Sequence, residues 1–162
     1  MADHLSTYLN DHLAGSVGGL EILDEIIEEA KGLNMETLRE LKKDIEEDRD
    51  ELASIMNRLD ISESALRKAS AWLGEKAAVL KMRVDDPGEG SFRLFQSLEA
   101  LTIGIFGKLC LWRALKTAAR ENPELGVTDY QRFIKRARQQ RKVVERLRTA
   151  AARDALNGEI TD

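Results

Sequence analysis

The chain has 162 residues, 33% of them charged and 43% hydrophobic, with a net charge of −4, two prolines and a single cysteine. That length supports one domain with a real core, and the scarcity of proline and aromatic residues favours helices over a β-sandwich. The lone Cys110 excludes an internal disulfide framework and a cysteine-built metal site; it lies in the most apolar segment, where a buried, inert thiol is expected.

The charge is unevenly placed. Residues 1–59 carry fifteen acids against six bases, and residues 128–156 three acids against nine bases. A basic last helix is one mark of nucleic-acid binding, but few aromatics accompany it and an acidic partner lies in the same chain, so intramolecular charge matching is the favoured reading. Met1 to Tyr8 lacks the basic and apolar regions of a signal peptide, and no uninterrupted apolar run approaches membrane-spanning length. A soluble, cytoplasmic chain without a membrane partner is expected.

From Asp3 to about Ala30, Leu5, Leu9, Leu13, Val17, Leu20, Leu23 and Ile27 recur at steps of three and four, which predicts an amphipathic helix stopped at Gly32. Its small residues Ala14, Gly15, Ser16, Gly18 and Gly19 remove bulk and predict close approach of a neighbouring backbone. The second helix starts at the cap Asn34 and runs to about Leu59 on a seam of Leu38, Leu41, Ile45, Asp48, Leu52, Ile55 and Leu59. Asp48 therefore stands at a core position, where a carboxylate needs a cation, a metal or hydrogen-bond donors.

Asp60-Ile-Ser-Glu63 has capping-box spacing and predicts a third helix to about Val84, with Trp72 and Lys76 beside its seam. Asp85 to Ser91 reads as a loop. The fourth helix, about Phe92 to Arg120, is apolar on nearly all sides between Leu101 and Trp112, which predicts the most buried element. Lys108 falls on its seam between Ile105 and Trp112, and a buried lysine stays charged only beside an anion. After the break at Asn122 to Gly126, Thr128-Asp-Tyr-Gln131 opens a fifth helix on a seam of Tyr130, Ile134, Ala137, Gln140 or Arg141, Val144, Leu147 and Ala151. Asn157-Gly158 ends it. The domain is expected over 1–156, with 157–162 a loose tail.

Four of these helices run to roughly 26 to 30 residues, about 40 Å each, which suits an all-α up-down bundle with nearly aligned axes. The shorter third helix acts as a crossover, giving five helices in total and setting the fourth parallel to the second. Leu20-Glu-Ile-Leu23 and Leu98-Glu-Ala-Leu101 place Glu21 and Glu99 in the same local setting, as in ferritin-like bundles built from two hairpins. Tyr8-Leu-Asn-Asp-His-Leu-Ala-Gly15, Ile45-Glu-Glu-Asp-Arg49, Gly74-Glu-Lys76, Leu98-Glu99, Gly107-Lys108 and Trp112-Arg113 resemble a bacterial ferritin-like family over nearly the whole chain. The resemblance implies the fold and a bacterial cytoplasmic setting, and brings no activity with it.

Active di-iron bundles of this kind add a Glu-x-x-His pair on the second and fourth bundle helices. Here the only histidines are His4 and His12, both in the first helix. Two arrangements follow. In the first, Glu21, Asp48, Glu99, Lys108 and Gln140 form a buried polar layer in place of a metal, in a binding or structural protein that is not a redox enzyme. In the second, Glu21, Asp44, Glu47, Asp48 and Glu51, with His12, hold a divalent metal (iron, manganese or magnesium), since residues 44, 47, 48 and 51 share a helix face and offer hard oxygens. A third reading is an interaction module, with a homodimer left open. No cofactor is expected under the first reading. No P-loop, nucleophile elbow or dinucleotide fingerprint occurs, and no small-molecule ligand is specified by motif.

Overall fold

A computed structural model describes residues 2–29, 32–62 and 90–157. They form four long helices and no strand: α1 (Ala2–Glu29), α2 (Met35–Arg58), α3 (Gly90–Ala118) and α4 (Tyr130–Leu156), with a 3₁₀ turn at Pro123–Leu125 before α4. The crossover helix expected between Asp60 and Val84, with Trp72 and Lys76, lies almost wholly outside the described residues, as does the tail from Gly158.

Local signals in the sequence account for the ends. Gly32 takes φ of 92°, a left-handed conformation that costs glycine little, and so turns the chain after α1. Asn34 caps α2, its side-chain oxygen accepting from the Thr37 N–H at 3.1 Å. α4 is capped by Asp129, one residue later than the expected Thr128; the Thr128 hydroxyl instead donates to Glu51 Oε1 at 2.8 Å and ties the start of α4 to α2.

Two apolar clusters fix the directions of the helices. One joins Leu9 and Leu13 of α1 to Leu52, Ile55 and Met56 of α2, Leu109, Trp112 and Leu115 of α3, and Phe133, Ile134 and Ala137 of α4. The other joins Leu20, Leu23 and Ile26 to Leu38, Leu41 and Ile45, to Leu98, Leu101 and Ile105, and to Val144 and Ala151. Early α1 thus meets late α2, late α3 and early α4. α2 and α3 run parallel, and both oppose α1 and α4. Each fully buried leucine in these clusters stabilises the bundle by roughly 1.5–3 kcal/mol. Between the clusters lies the level of Asp48, Lys108 and Gln140.

α3 departs from expectation. By length and composition it is the one described helix apolar enough to cross a membrane, yet it packs along α1 and α4 and buries only one face. Ile103 is 67% exposed and Phe106 47%, and Cys110 is exposed rather than buried. A helix apolar all round carries no phase, so composition alone does not identify the face that meets the core.

Candidate functional site

Asp48 is 1% exposed, held at mid-length of α2 between the buried Ile45 and Leu52. Its Oδ2 accepts from Lys108 Nζ of α3 at 2.5 Å and from Gln140 Nε2 of α4 at 3.2 Å. Its Oδ1 accepts from Arg136 Nε of α4 at 2.8 Å and, more closely still, from Arg136 Nη2. Lys108 Nζ also donates to Gln140 Oε1 at 2.6 Å, closing a ring of three side chains from three helices. A carboxylate offers about four acceptor sites. Here all of them receive a proton donor.

The outer end of Arg136 reaches the solvent edge, where Nη1 donates to Glu47 Oε2 at 2.7 Å and lies 4.0 Å from Asp44. Its guanidinium rests over the Phe133 ring, 5.1 Å from the centroid. Burial works against the charge on Arg136, but Asp48, Glu47 and Asp44 outweigh it and hold the side chain protonated. For Lys108 the balance runs the other way: burial pushes its pKa below the ordinary lysine range against the pull of Asp48, and nearby Arg136 pushes in the same direction as burial.

The structure therefore brings together Asp48, Lys108 and Gln140 and adds Arg136, which sequence reasoning missed. The signal for Arg136 was its position four residues before Gln140, on the same face of the helix. Glu21 and Glu99 do not join the layer. Both are exposed, and Glu99 pairs with Arg148 at 3.1 Å. Each follows a buried leucine, Leu20 or Leu98, and one residue of helix turns the side chain by about 100°, away from the core. Nor do the second-reading ligands converge. Arg136 lies against Asp44, Glu47 and Asp48, while Glu51 turns to Arg58 at 3.4 Å and to Thr128. Arg141, the alternative to Gln140 on the seam, is exposed and stacks over Phe106 at 5.0 Å.

No family model, curated protein or solved structure matches the chain.

Beside the ion cluster, α1, α2 and α3 line a cavity of about 200 Å³ that opens to solvent past the exposed Asp11, Gly15 and Gly104. Asp48, Lys108 and Trp112 line it with Ile45, Leu52, Leu101 and Ile105, and α1 and α3 contribute Gly15, Ser16, Gly19, Gly104 and Gly107. The close approach expected at Gly15 and Gly19 of α1 does not occur, and Gly104 and Gly107 of α3 face open space as well: a Cβ at any of the four would meet no neighbouring atom within 4 Å. The missing side chains leave space. Ser16 spends its hydroxyl on the Leu13 carbonyl of its own helix at 2.6 Å, so α1 brings no hydrogen-bonding group to Asp48.

His12 also lines the cavity and meets the Tyr8 ring edge-on at 4.6 Å. Burial lowers its pKa, with Asp11 pulling the other way. Below its unfolded pKa of about 6.5 the unfolded chain binds the proton first, so His12 makes stability fall as pH drops through the interval down to its depressed folded pKa. His12→Gln is expected to flatten that part of the pH–stability curve, as measured by urea unfolding at several pH values; an unchanged slope would contradict the assignment.

Proposed function

We propose that the chain is a ferritin-like bundle whose centre is closed by a charged layer where relatives of that architecture hold a metal, and that it serves as a binding or structural protein rather than a redox enzyme. The observation that carries this reading is the saturation of Asp48: Lys108, Arg136 and Gln140 occupy both oxygens of its carboxylate. A cation bound there would have to displace one ammonium or guanidinium and would then meet the repulsion of the other. The parallel α2 and α3, between two antiparallel hairpins, support the ferritin-like assignment. Two further features support the loss of the metal. α2, α3 and α4 contain no histidine, and among the described residues no three His, Cys, Asp or Glu side chains come together.

Metal analysis of protein purified without chelator tests the reading. Iron, manganese and magnesium are each expected well below one per chain, with no change in Asp48→Asn. One metal per chain, lost in that variant, would establish the carboxylate-rich metalloprotein instead.

A further inference from the structure

The cavity beside Asp48 has the composition of a ligand site. Its walls are largely aliphatic, and at about 200 Å³ it exceeds the engineered cavity of about 150 Å³ that admits benzene. Two polar groups on its wall have unspent donors. Trp112 is fully buried, and its indole Nε1–H has no acceptor among the described residues. An unpaired buried donor is costly, so a native core that keeps one calls for a partner. Lys108 spends two of its three ammonium hydrogens, on Asp48 and Gln140, and has one left. Trp112 lies four residues after Lys108, so both project from one face of α3.

Charge decides what kind of acceptor fits. Of the charged residues lining the cavity, Lys108 is matched by Asp48, which Arg136 also holds, Arg49 pairs with Asp50, and Asp11 adds an anion at the mouth that would repel an anionic ligand. A charged ligand would add an uncompensated charge to a largely apolar space, whereas a neutral oxygen would not. We propose that this cavity binds a small uncharged molecule with an aromatic or branched apolar body and a single acceptor oxygen, received by the Trp112 indole N–H and the free ammonium hydrogen of Lys108. The inference rests on the binding role proposed above and supplies its ligand class.

Three probes of similar size separate the contributions: acetophenone carries the neutral oxygen, ethylbenzene lacks it and benzoate is charged. The readout is the backbone amide proton of Gly107 on the cavity wall in NMR titrations, present in every variant; the Trp112 indole proton, distinguished from that of Trp72 by Trp72→Phe, is a second probe wherever Trp112 is retained. Acetophenone is expected to shift the Gly107 amide saturably, with a dissociation constant on the order of 1 mM, typical of a fragment of this size. Benzoate should bind at least about tenfold more weakly, and Trp112→Phe should weaken acetophenone by about tenfold while changing ethylbenzene by less than about threefold. Gly19→Leu, which fills the cavity and removes a helix-interior glycine, should abolish binding while the protein stays folded.

No saturable shift, equal or tighter binding of benzoate, equal losses for acetophenone and ethylbenzene in Trp112→Phe, or undiminished binding in folded Gly19→Leu would each overturn the proposal. Should Trp112→Phe not fold, the probe series and Gly19→Leu decide alone. The metal content of the same preparation keeps the two proposals apart. Metal-free protein that binds no probe removes the ligand site alone, whereas stoichiometric metal lost with Asp48→Asn removes the charged-layer reading.

Discussion

Asp48→Asn is expected to destabilise the protein by about 3–5 kcal/mol, the range for breaking a buried ion pair by removing one partner. The substitution preserves the shape of the side chain but removes its charge and sets an N–H donor where a carboxylate oxygen accepted from Lys108 and Gln140 or from Arg136. Lys108, its side chain 13% exposed, would be left with no carboxylate in contact, and Arg136 would keep as anions only the exposed Glu47 and, more distantly, Asp44. Both influences of Asp48 on Lys108, through its charge and its hydrogen bond, raise the lysine pKa. Removing them lowers that pKa further. The folded variant then binds fewer protons than the unfolded chain over the interval below the ordinary lysine value of about 10.5, and its stability must rise with pH there. The deficit relative to the native protein should accordingly be smaller at about pH 9.5 than at about pH 7, measured by urea unfolding at both. A deficit independent of pH would mean that Lys108 does not depend on Asp48 for its charge.

Lys108→Met is expected to cost less, roughly 2 kcal/mol. Asp48 would lose the ammonium but keep the Arg136 guanidinium on Oδ1 and the Gln140 amide on Oδ2, so its charge would remain partly compensated. Methionine replaces the aliphatic stem with little change in volume, which confines the effect to the lost charge and hydrogen bonds. The asymmetry between the two substitutions follows directly from the arrangement of one anion between two cations. A loss from Lys108→Met as large as that from Asp48→Asn would show that Arg136 contributes nothing to holding Asp48.

Much of this arrangement was legible before the structure. Asp48 interrupts an otherwise apolar seam and identifies itself by periodicity, whereas Lys108 stands out as the one charge between Leu101 and Trp112. Gln140, like Asp48, was found by periodicity, with Arg141 as the alternative that proved exposed. Arg136 was hidden for a physical reason. It starts from the margin of the apolar face and reaches inward along Phe133, so its own position does not reveal where its charge ends. Which acids it meets depends on α4 lying beside α2, and no local pattern encodes that adjacency.

The failures have the same character. Glu21 and Glu99 occupy matching places in two similar tetrapeptides, but the leucines around each take the buried face and leave the glutamate outside. Gly15 and Gly19 signal missing bulk, whereas whether that space is taken up by a backbone or stays open depends on how far apart α1 and α3 pack. The exposed Ile103, Phe106 and Cys110 were misread because a uniformly apolar helix gives periodicity nothing to measure.

The measurement that bears most directly on the charged layer is the double-mutant cycle joining Asp48→Asn and Lys108→Met, followed by equilibrium unfolding of the native protein, both single variants and the double variant. Removing both partners leaves neither charge stranded by the other, so the double variant should recover part of the loss, with a coupling of about 2 kcal/mol or more between the two sites. Losses that add within about 0.5 kcal/mol would contradict direct neutralisation of Asp48 by Lys108.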